Sequence, residues 1–117
     1  MYLCLMYSND LMRGTLKTVI LKLLEEQGKM YGYEISQMVK ERSEGKILLT
    51  EGALYPMLHK LEAEGFLTTE KVPIGKRVRK YYSLTPQGNT ATVLKVKEFE
   101  DFVKTMQVVL NFKVKPM

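Results

Sequence analysis

Between residues 66 and 84 the spacing of apolar side chains changes from the three-and-four steps of a helix to alternation, which narrows the folds open to this chain. The alternating stretches are residues 66–72 and 77–84, and Pro73-Ile74-Gly75 supplies turn chemistry between them. They read as one β-hairpin set among helices, so the chain is expected to be mainly α with a small β-hairpin, an α+β fold. On the second strand Arg77, Arg79 and Tyr81 share one face, while Val78, Lys80, Tyr82 and Leu84 share the other. Two guanidiniums therefore project together.

Upstream of the hairpin, three segments carry helical periodicity. Leu16, Val19, Ile20, Leu23 and Leu24 mark one face of a first helix over residues 11–26, with Ser8, Asn9 or Asp10 as cap and Gly28 as a left-handed stop. A second helix covers residues 31–42, with Ile35, Met38 and Val39 inward. Gly32 in its first turn is poor for propensity and marks a place where another backbone comes close. The third helix starts after Thr50 as N-cap, places Glu51 at the positive end of the helix dipole, and stops at Gly65. Pro56 lies inside it, so the helix either starts later or bends there.

Thr85-Pro86 opens a last helix with a cap and a proline at the first helical position. Its apolar residues Thr92, Val96, Phe99, Val103, Met106 and Leu110 repeat by four and three, with Phe102 and Val109 in a second row. A seam with this period packs against a single partner helix. A helix appended after a hairpin has little of its own domain left to cover. The expectation is a homodimer through Val96, Phe99, Phe102, Val103, Met106 and Leu110, with packing inside the chain as the alternative.

The charge map agrees with a polyanionic partner. Residues 1–65 carry 8 basic and 9 acidic side chains, whereas residues 66–84 carry 5 basic residues against Glu70 alone. Most of the formal net charge of +5 thus sits on the hairpin and the last helix. One cysteine, Cys4, and one histidine, His59, leave no disulfide framework and too few ligands for a zinc site. There is no nucleophile–base pairing and no phosphate-binding loop beyond the lone Gly75-Lys76, so neither catalysis nor a cofactor is expected. No apolar run approaches the roughly 20 residues of a bilayer span. The first ten residues lack the basic start of a signal peptide, which points to the cytoplasm and the nucleoid.

Three helices and a basic hairpin make a winged helix-turn-helix, in which the third helix enters the major groove and the wing tracks phosphates or the minor groove. The segments L-M-R-G-T-L-K, M-Y-G-Y-E-I (residues 30–35), E-G-A-L-Y-P-M-L-H-K-L-E-A-E-G (51–65) and G-K-R-V-R-K-Y-Y-S-L-T-P-Q-G (75–88) carry a family resemblance. In order and spacing they resemble the PadR family of transcriptional regulators over residues 11–88, and more loosely through the last helix. The length looks like that of the compact subgroup with one C-terminal dimerisation helix. The resemblance implies a dimeric repressor bound to operator DNA, released in some members by an aromatic or drug-like hydrophobic effector between the subunits. Two departures stand out: there is no Trp, whose place in a ligand pore Phe99 or Phe102 would take, and Val78 stands where the family commonly shows proline or arginine.

The chain divides into an N-terminal extension (1–10), a winged helix-turn-helix (11–84) and a dimerisation helix with tail (85–117). The expected DNA contacts are Tyr33, Thr50, Glu51, Tyr55, His59 and Lys60 from the helices and Lys76, Arg77 and Arg79 from the wing. Two placements fit Tyr55: on the DNA face, or half-buried against the second helix. The rival function is a dimeric winged-helix adaptor for protein or RNA, or a repressor of another winged-helix family. Salt-dependent binding separates a DNA reader from a protein adaptor.

Overall fold

The structure is a computed structural model and describes residues 7–114. Cys4 and the first six residues of the expected N-terminal extension lie outside the described residues. The elements in order are α1 (Asn9–Arg13), α2 (Leu16–Gln27), β1 (Lys29–Tyr31), α3 (Gly32–Arg42), α4 (Glu51–Ala63), β2 (Leu67–Ile74), β3 (Arg77–Leu84) and α5 (Pro86–Val109).

The single first helix expected over residues 11–26 is two helices. Ser8 caps α1 by accepting from the Leu11 N–H at 3.2 Å, and Gly14 ends it. Thr15 spends its hydroxyl on the Met12 carbonyl, at 2.9 Å, instead of capping α2. The apolar face read from Leu16 to Leu24 belongs to α2, whose Ile20, Leu21 and Leu24 are fully buried. With Ile35 of α3, Leu58 and Leu61 of α4 and Tyr82 of β3 they form one continuous core.

The sheet also corrects the sequence reading. The wing is the expected hairpin of β2 and β3, but its sheet has a third strand: β1 pairs antiparallel with β3, Met30 opposite Tyr82 and Tyr31 opposite Tyr81, giving the order β1-β3-β2. Three residues are too few to show a period, so β1, which overlaps the expected second helix only at Tyr31, was not readable between the first two helices. β2 runs on through Pro73 to Ile74, and the turn is Gly75-Lys76, with Gly75 at φ 61° as the first central residue of a II′-type hairpin requires. Ile74 opposite Arg77 closes the hairpin, so Pro73 opposite Val78 falls at a non-hydrogen-bonded pair of an edge strand, where its missing N–H is not needed.

α4 is continuous from Glu51, with Pro56 inside it and exposed to solvent. The helix does not start later. Thr50 accepts from the Ala53 N–H at 3.2 Å, as its N-cap role requires. Between α3 and α4, Ser43 accepts from the Ile47 N–H at 2.9 Å, and Ile47 and Leu49 pack on the core, which fixes α4 against α3.

The junction into α5 is tied by Thr85, whose hydroxyl donates to the Gly65 carbonyl at 2.7 Å and accepts from the Gly88 N–H at 3.0 Å. A Cβ on Gly88 would collide with the Phe66 carbonyl. Backbone cannot give way as a side-chain tip can, so Gly88→Ala is expected to cost about 1–3 kcal/mol, read as a lowered midpoint in denaturant unfolding. An unchanged midpoint would mean that this approach is looser than it stands here.

α5 has more of its own domain to cover than its sequence suggested. It packs on α2, and Thr92, the first position of the seam, is fully buried with its hydroxyl on the Gly88 carbonyl at 2.8 Å. At about 1.5 Å per residue the helix is roughly 36 Å long, in a molecule whose longest dimension is 54 Å. Among the described residues no helix is long and apolar enough to cross a membrane.

Candidate nucleic-acid interface

α4 turns its apolar positions Leu54, Leu58 and Leu61 into the core, which leaves Glu51, Gly52, Pro56, His59 and Lys60 in solvent. The helical repeat defines two flanks. Tyr55, His59 and Glu62 recur on the flank next to the wing, and Ala53, Met57 and Lys60 recur on the other. The wing-side flank borders a cleft whose walls are Tyr31 and Gly32 from the start of α3, Tyr55 and His59 from α4, and Arg77, Arg79 and Lys80 from β3. Four sequence-expected residues on two elements, Tyr55 and His59 of α4 and Arg77 and Arg79 of β3, thus converge on one concave surface.

Tyr55 takes the packed of its two placements. It is half-buried against the core, and its ring occupies the space where a Cβ of Gly32 would be. Gly32 is therefore kept small by a side chain rather than by an approaching backbone. The absence of Cβ lets α4 and the start of α3 close together, which brings the helix-turn-helix within reach of the wing.

Arg79 is held in place by aromatic rings, with no ion pair to compensate its charge among the described residues. Its guanidinium lies over the Tyr31 ring at 4.0 Å, and Tyr31 meets Tyr81 edge-on at 5.5 Å between centroids. A hydrogen bond with Tyr81 is the main cause that raises the Arg79 pKa above the ordinary guanidinium value, with Tyr31 and Tyr81 charges adding. Tyr31 also stacks near Tyr33 at 6.5 Å, and Tyr33, which is 62% exposed, does not line the cleft. The sequence reading missed Tyr31. Its signal was the aromatic residue directly before Gly32, legible only once β1 sets it opposite Tyr81.

The remaining charges sort by partner. Lys17, Lys22, Lys29, Arg42, Lys80 and Lys95 are each ion-paired within 4 Å, Lys80 inward to Glu62 at 3.5 Å. Among the described residues no ion pair engages Lys71, Lys76 or Arg77, all exposed along the wing, nor Lys60 on α4. Lys76 sits at the hairpin tip. Thr50 and Glu51 stand at the α4 N-terminus outside the cleft, and Lys60 lies on the far flank, so the expected set is not gathered in one pocket. Burial pushes the Tyr82 hydroxyl above the ordinary phenol range, against the lowering influence of Lys80. Among the described residues no group of three His, Cys, Asp or Glu side chains could hold a metal ion.

The residues expected in the α5 seam divide along the helix. Val96 and Phe99 line a largely apolar cleft of about 380 Å³ with Val19 and Leu23 of α2, Val39 of α3 and Ile47 of the loop between α3 and α4. Phe102, with Phe99, borders a second cleft beside Leu11 and Thr18. Val103 and Met106 are half-buried and line neither cleft, and Leu110 is exposed with Val108 and Val109 beside it.

Comparison with known proteins gives a consistent result. The model of the transcriptional regulator PadR-like family matches residues 20–93. An uncharacterised protein from Lysinibacillus sphaericus is 33% identical over 99 residues, 82% of this chain and 88% of that one. The structure of a transcriptional regulator from Clostridium thermocellum superposes with a TM-score of 0.78 at 33% identity, covering 86% of this chain and 95% of that one. The structure of Bacillus subtilis PadR in complex with operator DNA superposes with a TM-score of 0.61 at 29% identity, covering 91% of this chain and 51% of that one.

Proposed function

Since this chain belongs to the PadR-like family of transcriptional regulators, we propose that it is a dimeric, sequence-specific DNA-binding repressor acting on the nucleoid in the cytoplasm. The observation that carries this reading is the cleft in which Tyr55 and His59 of α4 meet Arg77 and Arg79 of the wing. α4 reads base edges from the major groove through Glu51, His59 and the hydroxyl of Thr50, with Tyr55 holding α4 against the start of α3, while Lys76, Arg77 and Arg79 hold phosphates and Tyr33 adds a backbone contact. The operator-DNA complex of the Bacillus subtilis relative supports this docking.

α5 supplies the dimer contact through Val96, Phe99, Phe102, Val103, Met106 and Leu110. The exposure of apolar side chains along its distal half supports a second copy as the partner. The cleft under Val96 and Phe99 has the size and apolar lining of a small-molecule site, and it touches α3 and the loop before α4. A hydrophobic effector there would act on the helix-turn-helix directly.

The test is an anisotropy titration of the protein against DNA from the region upstream of its own coding sequence, and against a scrambled duplex of equal length, at about 50 and 200 mM salt. Tighter binding to the native sequence, with affinity falling steeply as salt rises, is the expected result. Weak, salt-insensitive binding to both duplexes would overturn the reading and bring a protein-binding adaptor forward.

A further inference from the structure

The wing accounts for one side of the recognition helix only. A helix lying in a major groove about 12 Å wide has a phosphate strand on each side of it. On the flank of α4 away from the wing, Ala53, Met57 and Lys60 face Leu16, at the start of α2, and Arg13, at the end of α1, across a shallow groove. Both cationic side chains on this flank are available. Arg13 makes only a long contact to Asp10, at 3.7 Å, with the two side chains 78% and 91% exposed, and no ion pair engages Lys60 among the described residues. Neighbouring Lys17 is not available in this way, because it is held by Glu64 at 3.3 Å and lies over the Phe66 ring.

We propose that Arg13 and Lys60 form a second phosphate-binding site, which grips the DNA strand on the side of the recognition helix opposite to the wing. The inference rests on the DNA-binding reading above. The break between α1 and α2 then acquires a use: by ending α1 at Gly14, the chain sets Arg13 beside α4 instead of continuing it along the α2 face. The groove floor is apolar, from Leu16, Ala53 and Met57, so water around the two charges is limited on one side while the phosphate side stays open. Nothing in the spacing or local charge around Arg13 singles it out, and only its approach to α4 does.

The test compares wild type with Arg13→Ala, Lys60→Ala and the double variant on both the upstream duplex and the scrambled one, with Arg13→Lys as the charge-conserving variant. A phosphate contact carries no sequence information. Each alanine is therefore expected to weaken binding to both duplexes by the same factor, about five- to tenfold at low salt, and to reduce the salt slope by about 0.9 per cation removed, with Arg13→Lys keeping most of both. Circular dichroism and the mass in solution should be unchanged. Alanine variants that keep the wild-type affinity and slope, while a variant lacking the wing cations loses both, would overturn this inference and leave the DNA-binding reading intact. An affinity loss without a change of slope, or with a change in oligomeric state, would also overturn it. Wild type that shows no salt-sensitive binding to either duplex would count against both.

Discussion

Replacing Arg77 and Arg79 together with alanine should reduce affinity for the operator about a hundredfold at low salt and flatten the salt dependence by about 0.9 for each phosphate no longer neutralised. The two side chains do not contribute in the same way. Arg77 is exposed at the pair that closes the hairpin, unpaired with any carboxylate among the described residues, and acts as charge alone. Arg79 holds Tyr31 and Tyr81 as well, so its loss also removes a side-chain contact between the wing and the start of α3, while the β1–β3 pairing stays. In single variants, Arg77→Ala should therefore lower the slope at little cost in stability, whereas Arg79→Ala should lower the slope and also the melting temperature. Cation–π contacts at partly exposed sites contribute about 0.5–1 kcal/mol, which sets the size of that second effect. A double variant that binds as wild type does, at both salt concentrations, would remove the wing from the interface.

Placing a carboxylate at two positions of the α5 seam, Val103→Glu with Met106→Glu, should convert the protein from twice its chain mass of 13.5 kDa to once that mass. Each side chain is half-buried within one chain, and neither lines the clefts where α5 meets α2. The helix should therefore stay in place, with circular dichroism unchanged. In a dimer the substitutions would bury four carboxylates in an apolar seam, where each costs several kcal/mol unless it is protonated or paired. Operator affinity should fall at least about a hundredfold with the mass change, because a monomer gives up the second half-site. Light scattering after size exclusion reads the mass. A variant that remains dimeric would move the interface away from this seam, and one that loses helix content would report on folding instead.

Much of the fold was legible from local rules. Thr50 and Thr85 were readable as N-caps, Gly28 as a helix stop and Pro86 as a first-turn proline, because each acts on backbone groups within a few residues of itself. The alternation of β3 was equally plain, and so was the excess of cations on the wing. The short elements were not. α1 and β1, of 5 and 3 residues, are each shorter than the window over which periodicity can be seen.

The candidate site divides in the same way. Sequence by itself determined which side chains carry charge and hydrogen-bonding groups, and that α4 and the wing would hold them, since residue type and element period need no neighbours. The tertiary structure decided what each of those charges packs against. Lys80 turned inward to Glu62 because β3 pairs in one register, and Arg79 came to rest on Tyr31 because β1, far upstream in the chain, lies beside β3. It likewise set Arg13 next to Lys60 and gave the first half of α5 to α2. Those outcomes depend on contacts between residues far apart in the chain, fixed by the shared core of Ile20, Leu58 and Tyr82, and local spacing carries no record of them.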